Sequence, residues 1–159
     1  MNSSLLFNIL LLWGMLLFTN VPGLLFGLTF KGNGPKKRLW FEPPGYIIPI
    51  VWVFLFLLLA FLRYKLVIGE KHDLAMMILI LAFICASYPY YTLGFEKITG
   101  ISALKFGLAG NILVIVSALF VGIEISDFSA NLSYLIYPIV IWTFFASMII
   151  LGQLRLLKS

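Results

Sequence analysis

Two apolar segments place tryptophan on a regular helical spacing. Residues four positions apart share one face of a helix, and both segments carry such a series: Ile48, Trp52 and Phe56 in one, and Pro138, Trp142 and Ala146 in the other. An indole beside smaller or aromatic neighbours can hold a flat apolar molecule through stacking and edge contacts. The spacing therefore predicts a binding surface for planar hydrophobic ligands, with simple packing between helices as the alternative for each tryptophan.

Small and polar residues follow the same helical spacing in two other apolar segments. One contains Ser87 beside Tyr88, and the other contains Asn111 on a face with Gly107 and Ala118. Small residues let neighbouring helices approach closely, and an asparagine in such a segment requires a hydrogen-bond partner inside the bundle. These residues indicate either pocket walls or packing seams, and the tyrosines next to Pro89 are also typical of a membrane-interface belt.

No catalytic set of residues is indicated in these segments. Cys85 and His72 are the only cysteine and histidine, so neither a thiolate metal site nor a Ser/His/Asp set is indicated. No ionisable residue lies at the centre of an apolar run, and we expect Arg63 and Lys65 to extend their side chains from the end of one run towards water. The sequence thus predicts no catalytic and no metal residues, and it disfavours ion-coupled transport.

Composition places these residues in a membrane. Apolar residues make up 62% of the 159 and charged residues only 11%, whereas a soluble domain has about a quarter charged residues. The charges separate five apolar runs, and a ~30 Å hydrocarbon core requires about 20 such residues per helix. We predict an all-α integral membrane protein, a single five-transmembrane-helix bundle over residues 1–159, with spans at about 5–30, 45–66, 74–93, 104–123 and 132–154.

Basic residues predict the orientation of the chain. Eight lysines and arginines fall on one side of the predicted spans and three on the other. The eight are Lys31, Lys36, Lys37, Arg38, Lys97, Lys105, Arg155 and Lys158, and the three are Arg63, Lys65 and Lys71. The N-terminus is therefore expected outside and the C-terminus in the cytoplasm. The net charge of +5 predicts contact with membrane lipid and not with nucleic acid, because each loop carries only a few basic residues.

A short segment rich in aromatic residues and proline precedes the second span. Residues 40–44 read Trp-Phe-Glu-Pro-Pro and follow a basic cluster. Glu42 is expected to cap the amides at the start of the second helix, and Pro43 and Pro44 to occupy its first turn, where a missing N–H costs little. This segment would then place Trp52 below a loop that acts as a lid.

Residues 43–60 resemble the second helix of the translocator protein family, also called tryptophan-rich sensory proteins or peripheral benzodiazepine receptors. The family's second helix has a W-x-P-P entry and an aromatic segment, which are matched here by Pro43 with Pro44, Val51 with Trp52, and Leu55 with Phe56. The family's last helix has the signature P-Y-x-x-W-x-x-x-A, which is matched by Pro138, Trp142 and Ala146. The chain departs from the family at Phe41, where the family usually has tryptophan; the tryptophan of this chain, Trp40, stands one residue earlier. It also departs near Ile84, Ser87 and Ile150. The tyrosine of the sterol-recognition pattern is also missing before Arg155.

The resemblance implies a five-helix bundle, often a homodimer, with a pocket that binds porphyrins such as haem and protoporphyrin, or sterol-like molecules. By position, the ligand-binding residues would be Pro43, Pro44, Ile48, Trp52, Phe56, Ser87, Tyr88, Asn111, Trp142 and Ala146. No cofactor is required, and a tetrapyrrole is a possible ligand. The expected function is a receptor or sensor. The alternatives are a small transporter or carrier, or a membrane scaffold without a ligand, and light-dependent porphyrin breakdown is the enzymatic option.

Overall fold

The computed structural model describes residues 4–28 and 38–157, and all regular secondary structure in this part of the chain is helical. The helices are α1 (Leu5–Leu25), α2 (Ile47–Ile68), α3 (His72–Ala86), α4 (Phe95–Thr99), α5 (Ala103–Phe128), α6 (Ala130–Ser133) and α7 (Tyr137–Leu156). A π-helical turn spans Tyr90–Gly94, and a 3₁₀ turn spans Tyr134–Ile136. The prediction of an all-α protein is confirmed for these residues.

Within the described residues, four helical stretches are long and apolar enough to cross a membrane: Leu5–Gly23, Ile47–Ile68, Ala103–Phe128 and Ala130–Leu156. A fifth crossing results if α3 and the bent segment Tyr90–Thr99 are counted together. The helices therefore agree with a multi-pass membrane protein. Two sets of residues used in the predictions lie outside the described residues: residues 29 and 30 of the first span, and Lys31, Lys36, Lys37 and Lys158 of the charge count. The orientation of the termini therefore stays a prediction.

The third predicted run, 74–93, is interrupted. The two parts of this region are bent by 49° relative to each other at a break after Ala86. Pro89 has no N–H to donate to the carbonyl of Cys85, and Tyr90 and Tyr91 both donate to the carbonyl of Ser87 instead. The chain passes through the break into the π-helical turn, a conformation that often occurs at functional sites.

The turn between α2 and α3 is built without glycine at its left-handed position. Glu70 has φ 57°, its N–H donates to the carbonyl of Val67, and the N–H of Lys71 donates to the carbonyl of Leu66. This pair of bonds is the Schellman arrangement, which satisfies the last carbonyls of a helix. It ends α2 and places the start of α3 beside it.

The start of α2 differs from the prediction. The helix begins at Ile47, without a side-chain cap, and Pro49 occupies its first turn. Glu42 and Pro43 each precede a proline, which disfavours helical backbone for both. The Glu42 carboxylate accepts hydrogen bonds from the N–H of Leu39 at 3.2 Å and from Gln153 at 3.1 Å. The capping role expected for Glu42, and the first-turn position expected for Pro43 and Pro44, are therefore wrong.

The helices pack in an order that keeps α2 and α7 apart. α1, α2 and α3 contact one another, α3 contacts α5, and α5 makes its most extensive contact with α7. α7 reaches α2 mainly through the preceding 3₁₀ turn. The buried core includes Leu12, Phe56, Leu59, Ile78 and Ile139. An open space between α2 and α7 follows from this arrangement.

The two ends of the bundle are named here by a residue that lies at each. The Glu42 side holds the ends of α1 and α7 and the starts of α2 and α5, and the His72 side holds the starts of α1 and α3 and the ends of α2 and α5. These names carry no assignment to a cellular compartment.

Candidate functional site

An apolar groove of about 480 Å³ lies between α2 and α7 and is open along one side. Binding sites for small molecules usually have volumes of about 300–1,000 Å³. Among the described residues its lining is entirely apolar, from α2 Val51, Phe54 and Leu55, and from α7 Pro138, Ile141, Trp142 and Phe145. The groove can thus hold a molecule through apolar and ring contacts but offers no acid, base or metal ligand.

Aromatic rings connect this α2–α7 groove with the segment before α2. The rings of Trp142 and Phe145 lie 5.7 Å apart between centroids, and Phe41 approaches Phe145 edge-on at 6.4 Å. Trp40 in turn contacts Phe41 at 5.5 Å but is itself 95% exposed. Phe41, and not the displaced Trp40, is therefore the aromatic residue of this segment that reaches the groove wall.

Residues 39–42 form a strap across the Glu42-side end of α7. The Leu39 side chain lies against Gly152, where an added Cβ would come within 2.5 Å of it, so the absence of a side chain at Gly152 makes room for the strap. The amide of Gln153 donates to the Glu42 carboxylate at 3.1 Å. Together with the contact between Phe41 and Phe145, these interactions hold the strap beside the groove.

The predicted face of α2 points away from the groove. Phe56 is fully buried in the core, and Trp52 packs against that core and meets the Phe56 ring edge-on at 6.3 Å. Ile48 is exposed and does not line the groove, and Pro43 and Pro44 lie in the turn before the helix. The groove instead uses the neighbouring face of α2. Sequence reasoning missed Phe54, although Val51, Phe54 and Leu55 stand at positions i, i+3 and i+4, which share one face of a helix.

Tyr88 and Tyr91 pack into two notches on α5. Their rings meet edge-on at 5.4 Å. A Cβ at Gly107 would lie 2.6 Å from the Tyr88 hydroxyl, and a Cβ at Gly110 would overlap the Tyr91 ring. The two glycines therefore admit the tyrosines and join the π-helical region to α5. Ser87, at the end of α3, is half-buried at the break itself.

Asn111 connects α5 with α7. Its side-chain amide donates to the hydroxyl of Ser147 at 3.1 Å, and that hydroxyl donates to the carbonyl of Thr143 at 2.8 Å. Asn111 and Ser147 are both buried. The prediction that Asn111 has a hydrogen-bond partner inside the bundle is confirmed, and Ala146 lies next to this contact in sequence.

We expect Asn111→Ala to lower the free energy of unfolding by about 1 kcal/mol, because hydrogen bonds between membrane helices contribute on this scale. Asn131→Ala is the control, since Asn131 is exposed on α6. Thermal unfolding in detergent, followed by circular dichroism, compares the two. Equal midpoints for both variants would contradict a stabilising role for the bond between Asn111 and Ser147.

Of the ten residues predicted to bind ligand, Trp142 is the one that lines the α2–α7 groove. Ile48 is exposed in the first turn of α2, and the others lie in the core, at the tyrosine notches, at the helix contact or in the turn before α2. No protein-family model and no curated protein matches this chain. The resemblance to translocator proteins therefore rests only on the sequence motifs in the second and last spans.

Proposed function

We propose that this protein is a membrane receptor or sensor that binds a planar hydrophobic molecule, such as a porphyrin or a sterol-like compound, in the α2–α7 groove. The observation that carries the proposal is the arrangement of Phe54, Trp142 and Phe145 around one apolar groove. Aromatic side chains hold flat rings through offset stacking and edge contacts. The resemblance of the second and last spans to translocator proteins supports the same class of ligand.

Access to the groove is from the bilayer. Its lining is apolar and it is open along one side, so a hydrophobic molecule dissolved in the membrane can enter without crossing a polar barrier. No titratable side chain in the part of the chain that the structure describes lines the groove. Acid–base catalysis therefore has no candidate residue here, and the geometry favours binding.

Selectivity must come from shape and ring contacts. Lipid tails are as apolar as the groove itself, so the hydrophobic effect does not distinguish a ligand from a lipid chain. A rigid flat ring differs from a flexible chain because it loses little conformational freedom on binding and can stack on Trp142 and Phe145. The indole of Trp142, which lines the groove together with Ile141 and Phe145, is the side chain on which the proposed function depends most.

Titration of protoporphyrin with the purified protein, followed through the porphyrin absorption band, tests the proposal. Wild type is expected to bind saturably. Trp142→Phe should weaken binding roughly two- to threefold, because a phenyl ring keeps part of an aromatic contact that contributes about 0.5–1.5 kcal/mol in all. Trp52→Phe is the matched control, because Trp52 belongs to the core-facing side of α2; its affinity should stay close to that of wild type.

Two outcomes contradict the proposal. Absence of saturation in the wild type, for protoporphyrin and for a sterol competitor alike, would favour a scaffold without a ligand. A larger loss in Trp52→Phe than in Trp142→Phe would move the binding site away from the groove. Transfer of bound porphyrin between donor and acceptor vesicles, measured in parallel, distinguishes a carrier from a receptor.

A further inference from the structure

Arg63 is buried within a membrane-spanning helix. Its side chain is only 3% exposed, and it lies five residues before the end of α2 at Ile68, about 8 Å along the helix at 1.5 Å per residue. The sequence predicted that Arg63 extends towards water, and this is wrong: the side chain packs inward, whereas Lys65 two residues later is exposed. A buried ionisable residue in a span is costly and commonly marks a functional site.

The partner of Arg63 is a neutral amide. Nη1 of Arg63 donates to Oδ1 of Asn8, and the Asn8 amide donates to the carbonyl of Ser4 at 2.8 Å. Asn8 is fully buried. Nε of Arg63 is buried without a hydrogen-bond partner among the described residues. Asn8 thus orients the guanidinium but does not neutralise its charge.

The unpartnered Nε belongs to the side of the guanidinium that suits an anion. A guanidinium presents N–H groups in a planar fork that matches two oxygens of a carboxylate or phosphate. Asn8 occupies Nη1, so the Nε edge is the one left for a second partner. Buried polar groups in native proteins almost always have partners, and an anion at Nε would supply both the missing acceptor and the missing negative charge.

The surroundings of Arg63 also favour an anion. α1, α2 and α3 pack against one another, and α1 and α3 both begin on the His72 side. The start of a helix carries a partial positive charge and unpaired N–H groups. Arg63 therefore lies near the end of the bundle where two helix starts add partial positive charge, that of α3 being partly offset by Asp73 in its first turn.

We propose that Arg63 and Asn8 form an anion-binding site for the headgroup oxygens, phosphate or carboxylate, of an acidic membrane lipid on the His72 side. Arg63 binds the anion and Asn8 positions the guanidinium. This site is separate from the α2–α7 groove, which begins near the opposite end of α2, at Val51. It does not depend on the proposed receptor function.

The test measures lipid preference with the full chain in phosphatidylcholine vesicles that contain spin-labelled phosphatidylglycerol, oleate or phosphatidylcholine. Wild type is expected to bind at least one of the two acidic lipids several-fold better than the zwitterionic one, and the better of the two identifies phosphate or carboxylate. Arg63→Gln should abolish this preference. Lys65→Gln is the matched control, because it removes one positive charge from an exposed position of the same helix, and it should retain most of the preference.

A second measurement keeps the test valid if Arg63→Gln fails to fold. A ligand that binds the folded state raises the unfolding midpoint, so the preferred acidic lipid should raise the unfolding midpoint of wild type. The increase should be smaller for Arg63→Lys, because an ammonium group cannot bind two oxygens as a guanidinium fork does. Equal behaviour of wild type in acidic and zwitterionic lipid would overturn the proposal. An equal loss of preference in Lys65→Gln and Arg63→Gln would also overturn it, because surface charge would then explain the effect.

Discussion

Phe56→Ala is expected to destabilise the protein by about 2 kcal/mol through the cavity that it leaves. Phe56 is fully buried in the core and contacts Trp52. In lipid the water-transfer part of the cost is small, because the bilayer is as apolar as the core, so the loss of packing contacts dominates. Ligand affinity in the folded protein should stay within about twofold, since Phe56 does not itself line the groove.

Phe54→Ala is the matched comparison and should show the opposite pattern. Phe54 lies two residues earlier on the same helix, is 56% exposed and lines the α2–α7 groove. Its removal leaves no enclosed cavity, so the unfolding midpoint should change little, while protoporphyrin affinity should fall several-fold. Thermal unfolding and porphyrin titration of both variants check the pair. A loss of affinity in folded Phe56→Ala with none in Phe54→Ala would place the ligand on the core-facing side of α2.

Gly110→Ala is expected to lower the free energy of unfolding by about 1–3 kcal/mol, the usual cost of an overpacked interior. An added Cβ at Gly110 would overlap the Tyr91 ring. The ring cannot simply move away, because it already contacts the ring of Tyr88, whose hydroxyl lies at Gly107. The α5 contact with the π-helical region should therefore loosen first.

Gly14→Ala supplies the control for this substitution. Gly14 lies within α1, and an added Cβ there would meet nothing within 4 Å. Alanine is favoured over glycine in a helix by up to about 1 kcal/mol, so this variant should be as stable as wild type or more so. Unfolding midpoints in detergent measure both changes. A Gly110→Ala variant as stable as Gly14→Ala would show that the tyrosine notch adjusts without cost.

The helices of this protein are readable from composition, and their faces are not. Long apolar runs separated by charged residues predict membrane helices because the bilayer accepts little else. Trp52 and Trp142 have the same sequence signature of an indole at helical spacing. The structure nevertheless places Trp52 against the core and Trp142 in the groove. Which face of an almost uniformly apolar helix turns inward depends on its neighbours, and the sequence of one helix contains no polar stripe that decides it.

The sequence by itself determined an all-helical chain suited to a membrane and the need of Asn111 for a partner. Both features follow from local chemistry, namely hydrophobic length and the cost of an unpaired amide in lipid. Only the tertiary structure decided that α2 and α7 stand apart around a groove and that Arg63 turns inward to Asn8. Both depend on contacts between residues far apart in the chain, as in the 55 positions between Asn8 and Arg63, and spacing within one helix does not encode such contacts.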